Sequence, residues 1–334
     1  MKTLITAVTA LLFGCATLFA APIEPLEDGQ YKLTVGDVSM VVDAAHGGKI
    51  LSFKYGEMEA ISQIEMPNAF GSTFWTSPQK EWNWPPVPEY DSMPYTVVES
   101  GNVLRLQGSV SERFKYRINK EFATDPSDNS ILVTYTITNE ADTERSVAPW
   151  EITRVPNAGM VIFQAPFESI TPAGLLPFKE VNGIAIYEAD AAPQNRKVNA
   201  NGKGWYTFVN HGLMLMKRFQ DLEEGEEAPG EAEIQVYVNV GKTFMELECQ
   251  GPYTTLKPGE SLHWTVKWNL VPQAGPGPGM PGMGAPGQRP QGAPGQRPQG
   301  APGQRPQGAP GQRPQGAPGG FPGGFPGMGQ GRQQ

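Results

Sequence analysis

Cysteine is nearly absent from this chain: of 334 residues only Cys15 and Cys249 are cysteine. Cys15 falls in an N-terminal apolar segment that reads as an export signal, so the body keeps one thiol and can form no intrachain disulfide. Its stability must come from buried apolar surface. Cys249 lies in a strand-like run with no reactive motif around it and reads as a small buried hydrophobe. Histidine is equally scarce. His46, His211 and His263 are spread across the chain, too sparse for a His-rich metal centre, and neither metal nor cofactor is expected. The Gly-x-Ser-x-Gly elbow, the phosphate-binding Walker loop and the His-Glu-x-x-His zinc motif are all missing. Positive charge is short as well: residues 22–270 hold 20 Lys and Arg against 34 Asp and Glu. A body this acidic does not bind nucleic acid, because phosphate contacts need Lys and Arg to displace counterions.

Both ends of the chain differ from its middle. Met1-Lys2 followed by the apolar run Leu4–Ala20 has the form of a secretory signal (residues 1–20), with cleavage after Ala20. The stretch Leu12-Phe13-Gly14-Cys15 offers a second reading, a lipoprotein anchored through Cys15. A third reading is an uncleaved N-terminal anchor; export to the periplasm or the medium is the expectation. At the other end, 35 of residues 271–334 are Gly or Pro. Ordering them would cost roughly 1–2 kcal/mol of backbone entropy each, with little apolar surface to bury in return. Within this tail Gly284-Ala285-Pro286-Gly287-Gln288-Arg289-Pro290-Gln291 recurs from Gly292, Gly300 and Gly308. Its Gly spacing is not that of collagen, so a disordered, partly polyproline tail is expected. It serves either as a spacer or, with one Arg per octad, as a weak cationic contact to an acidic envelope polymer.

Between these ends, residues 22–270 alternate apolar and polar in short runs punctuated by Gly and Pro, the period of half-buried strands. Leu262–Leu270 puts Leu262, Trp264, Val266, Trp268 and Leu270 on one face. Ile131, Val133, Tyr135 and Ile137 form another such face, and Ile234–Val240 a third. No window of a dozen residues carries a helical period. The reading is an all-β chain of about fourteen to eighteen strands, folded as a large antiparallel β-sandwich.

Two constellations carry chemistry. The first is Phe70–Tyr95, with Phe70, Phe74, Trp75, Trp82, Trp84, Tyr90 and Tyr95 among five prolines and the polar Gln79, Lys80, Glu81, Asn83 and Asp91. Indoles stack on the apolar C–H faces of pyranose rings while neighbouring amides and charges bond the hydroxyls, so a sugar or oligosaccharide is the natural ligand. The competing reading is that this loop folds over the sandwich and buries its own aromatics. The second is Phe244–Gln250. Met245, Leu247 and Cys249 make an apolar face there and leave Phe244, Glu246, Glu248 and Gln250 on the other, the two carboxylates about 6–7 Å apart along the strand. That face is either a sugar-binding floor with a Glu as general base or simply wet.

Several motifs are similar, taken together, to one family: Gly47-Gly48-Lys49-Ile50-Leu51-Ser52, Trp75-Thr76-Ser77-Pro78-Gln79, Trp82-Asn83-Trp84-Pro85-Pro86, Trp150-Glu151-Ile152-Thr153, Glu246-Leu247-Glu248 and Leu256-Lys257-Pro258-Gly259-Glu260. Over about residues 30–270 the chain resembles a group of exported bacterial proteins related to the galactose mutarotase (aldose 1-epimerase) superfamily. The resemblance implies a galactose-mutarotase-like supersandwich that handles carbohydrate on its concave sheet. It makes Glu246 the catalytic base, with Glu248 as the fallback. The family's acid, a His, is missing: Pro149-Trp150-Glu151-Ile152-Thr153-Arg154 stands in its place. Ring opening needs proton donation as well as removal, so turnover would require His211 or Arg154 as donor. Trp75, Trp82, Trp84 and Trp150 are the expected stacking surfaces, and Gln79, Lys80, Glu151 and Arg154 the polar contacts. Three functions follow from this reading: sugar binding without turnover, epimerase-type catalysis, and a structural envelope role carried by the tail.

Overall fold

The computed structural model describes residues 21–64, 66, 70–191 and 193–273. The expected signal segment, the Cys15 lipidation motif and the repeat tail from residue 274 on lie outside the described residues. Two antiparallel sheets account for nearly all of the described chain. The larger runs in the order Glu24–Pro25, Gln30–Val35, Val38–Asp43, Lys49–Tyr55, Ser72–Ser77, Arg145–Pro156, Phe244–Gln250, Ile234–Val238, Arg196–Ala200. Met58–Glu59 pairs with Lys49–Tyr55, and Thr254–Leu256 with Arg145–Pro156, bringing this sheet to eleven strands. The ten-stranded sheet runs Lys179–Val181, Ile184–Glu188, Met160–Gln164, Trp205–Asn210, Leu213–Arg218, Ser261–Pro272, Ser130–Asn139, Tyr116–Asp125, Val103–Val110, Thr96–Ser100. The strand count exceeds the expectation because several elements are only two or three residues long, too short for alternation to reveal.

The sheets pack face to face. Phe53 meets Trp268 edge-on at 5.2 Å, and Phe74 stacks on Tyr135 at 4.1 Å, each pair joining one sheet to the other. Burying a large apolar side chain in this layer is worth about 1.5–3 kcal/mol. The alternation read from Ile131–Ile137 and Leu262–Leu270 holds: Ile131, Val133, Tyr135, Ile137, Trp264, Val266, Trp268 and Leu270 are buried, while His263 faces outward and bonds Thr136. Ile234–Val240 is shorter than expected. Its strand ends at Val238, and Val240 is exposed because the chain has already entered a turn. Cys249 is buried in the interior, and burial pushes its thiol well above the ordinary range, the state of an inert core side chain.

The only α-helix among the described residues is the turn Pro88–Asp91, inside the Pro-rich loop. Gly47 fixes its position. With φ at +72°, a Cβ there would stand 1.9 Å from the Asp91 carbonyl oxygen, so only glycine lets the Gly47-Gly48 turn and the helix approach this closely.

Candidate functional site

Strand register decides which side chains share the outer face of the eleven-stranded sheet. Opposite Trp150 stand Trp75 and Gln250; opposite Ile152 stand Thr73 and Glu248; opposite Arg154 stands Glu246. The next strands add Gln235 and Tyr237, then Asn199 and Lys197. Four strands distant in sequence thus bring two acids, two bases and two indoles onto one surface.

The ionic part is two pairs. Arg154 Nη2 lies 2.9 Å from Glu246 Oε1, off the N–H axis, so the attraction is between charges in contact and not a hydrogen bond. Lys197 Nζ donates to Glu248 Oε2 at 3.0 Å. Arg154 and Glu248 are almost wholly buried, whereas the side chains of Glu246 and Lys197 are 15% and 33% exposed. The opening of the site is therefore on their side. Burial pushes the Glu248 carboxyl up to about 7, against the opposing pull of Lys197. Burial, aided by Glu246 and Glu248, also pushes the Tyr237 hydroxyl up to about 12. A carboxyl that titrates near neutrality can take or give a proton at working pH.

The indoles adjoin these pairs. Trp75 packs edge-on against Trp82 (5.4 Å), Trp84 (6.1 Å) and Trp150 (5.5 Å). The Arg154 guanidinium lies 5.9 Å from the Trp75 ring, and Lys197 Nζ lies 4.8 Å from that of Trp150. Trp75, Trp82 and Trp150 are buried, and Trp84 is 57% exposed. Of the four expected stacking surfaces only Trp84 therefore presents its ring; the other three bury one another and support it. Trp82 Nε1 donates to the Thr76 carbonyl at 2.9 Å, pinning the loop. The Gln79 main-chain N–H donates to Glu231 at 2.9 Å, and Lys80 extends into solvent.

Two expected contacts go elsewhere. Glu151 points into the sandwich, fully buried, where it accepts from Tyr135 at 2.6 Å and pairs with Lys217. Alternation along Arg145–Pro156 explains this: Trp150, Ile152 and Arg154 take the outer face, so Glu151 and Thr153 take the inner. His211 occupies the exposed turn of the hairpin formed by Trp205–Asn210 and Leu213–Arg218, in the ten-stranded sheet. It is not on the face that carries Glu246, which removes it as the acid partner.

Asp91 was named in the sequence only as one polar residue of the aromatic loop, and it proves to be the hub. It is buried, and it accepts from Lys49 Nζ (3.0 Å), the Thr73 hydroxyl (2.8 Å) and Trp75 Nε1 (2.8 Å). It thereby orients the indole at the centre of the cluster. Lys49 followed a visible glycine pair; Lys197, Gln235 and Tyr237 carried no motif at all.

No family model matches this chain, and no curated protein matches it. Its fold does match solved structures. A galactose mutarotase-like protein from Lactobacillus casei aligns over 72% of this chain and 100% of its own, with a TM-score of 0.50 at 12% identity. The Slr1438 protein of Synechocystis aligns over 77% and 96%, at 0.51 and 11%. A TPR-domain containing protein from Parabacteroides distasonis aligns over 72% of this chain and 47% of its own, at 0.54 and 12%. The described chain thus has the fold of the galactose mutarotase-like protein, a large antiparallel β-sandwich.

Proposed function

We propose that this chain is an exported carbohydrate-binding protein whose sugar site lies on the outer face of the eleven-stranded sheet. One observation carries the reading: the Trp75 ring meets the exposed Trp84 on one side and Arg154, partner of Glu246, on another. An aromatic plane for a sugar's C–H face and a charged pair for its hydroxyls are therefore neighbours. The mutarotase-like fold supports the same ligand class. Tryptophan fluorescence and calorimetric titration with glucose, galactose and their oligomers test it. Trp84→Ala should weaken binding at least about fivefold, taking the about 1–3 kcal/mol of an aromatic ring stacked on a nucleobase as the scale; unchanged affinity would reject the site.

The epimerase alternative draws on Glu246, which keeps access to solvent, and on Glu248 with its near-neutral carboxyl. In that case Glu246→Gln abolishes anomer interconversion, followed by NMR, while sugar affinity persists. A variant that kept its rate would remove Glu246 as base.

A further inference from the structure

The same sheet face holds a second hollow that the reading above leaves unused. It is a cavity of about 720 Å³, within the usual size of ligand sites. Gln30, Asp43, His46, Ser62, Gln63 and Phe70 contribute to its walls. Its chemistry is suited to hydroxyl groups. Asp43 accepts the main-chain N–H groups of Ala45 and His46 on one oxygen, and His46 Nδ1 at 2.8 Å on the other. That carboxylate fixes the proton on Nδ1 and leaves Nε2 as an acceptor. The Ser62 hydroxyl accepts from the Ile64 N–H at 3.3 Å and keeps its own proton to donate. Gln63 Nε2 donates to the Leu51 carbonyl, leaving Oε1 as a further acceptor.

Phe70 ties this cavity to the first site. It lines the cavity, its ring lies 4.3 Å from Lys49 Nζ, and its carbonyl accepts from Arg154 Nη1 at 3.2 Å. From the strand of Asp43 to that of Glu246 the sheet takes four steps, or about 19 Å at roughly 4.8 Å per step. That distance exceeds one sugar ring and suits a chain of several. The charges narrow the chain further. Lys49, Arg154 and Lys197 each already hold a carboxylate: Asp91, Glu246 and Glu248. A phosphate or uronate would find none of these cations unmatched.

We propose that the Asp43–His46 cavity is a second sugar subsite, so that this face holds an uncharged oligosaccharide lying across Phe70 from the Trp84 side to His46. The proposal rests on the sugar-binding reading above and is tested so that the two can fail separately. Calorimetric titrations of the mature full-length protein would use glucose, galactose, the malto-, cello- and galacto-oligosaccharides from dimer to hexamer, and trigalacturonic acid. In one neutral series affinity should rise at least tenfold between dimer and tetramer. His46→Ala and Gln63→Ala should erase that gain and leave monosaccharide binding unchanged. Both side chains are at the surface, and an unchanged Tm confirms that each variant folds. Equal affinity for monosaccharide and hexamer, insensitivity of the long chains to both variants, or tightest binding of trigalacturonic acid would overturn the second subsite alone. Absence of binding by every neutral sugar would overturn the sugar-binding reading and the subsite with it.

Discussion

Lys217 and Glu151 face each other across the sandwich interior, neither with any exposed side-chain surface. Lys217 also donates to the Thr153 hydroxyl and stands 3.3 Å from the centre of the Trp268 ring. Glu151 accepts from Tyr135 and, at 3.4 Å, from Trp268 Nε1. With an effective dielectric constant near 20, charges about 3 Å apart attract by about 5 kcal/mol, which offsets much of the cost of desolvating them. Lys217→Met removes the cation and strands a carboxylate with two neutral donors. The expected loss is about 3–5 kcal/mol, a large share of the 5–15 kcal/mol typical of a folded domain. Glu151→Gln combined with Lys217→Met removes both charges and keeps an acceptor for Tyr135 and Trp268, so the double variant should recover most of the loss. Urea unfolding of the wild type, both single variants and the double variant at pH 7 measures the cycle. A single-variant loss below about 1 kcal/mol, or a double variant no more stable than Lys217→Met, would refute the reasoning.

Glu233 is buried and accepts the N–H groups of Gly202 and Gly204, and burial pushes its carboxyl up to about 7. Its raised pKa makes folding less favourable as pH rises from about 4.5 to 7, by up to about 3 kcal/mol; urea midpoints at pH 5 and pH 8 should fall less steeply in Glu233→Gln than in the wild type. Gly47→Ala forces a Cβ into the Asp91 carbonyl and strains a positive φ. The cost, about 3 kcal/mol or more, corresponds to a fall in Tm of about 6–12 °C by calorimetry.

The alternation of residues 131–137 and 262–270 was enough to read strands and their inner faces, because one side of each is wet and the other dry. The same rule separated Glu246 and Glu248 from Met245, Leu247 and Cys249. It failed on Arg145–Pro156, where Val147 through Val155 are all buried. With both faces covered, no polar side marked the parity, and Trp150, Glu151 and Arg154 looked equally available to a ligand. Only the pairing of that strand with its neighbours sends Glu151 inward and the other two outward.

Period and composition therefore settled the fold class, since apolar burial every second residue is a local property of the chain. Which acid meets which base was decided by tertiary structure alone. Lys49 finds Asp91 across 42 positions, Lys197 finds Glu248 across 51, and Arg154 finds Glu246 from a neighbouring strand. Such pairs arise from sheet register, and register depends on the whole sandwich closing around its core.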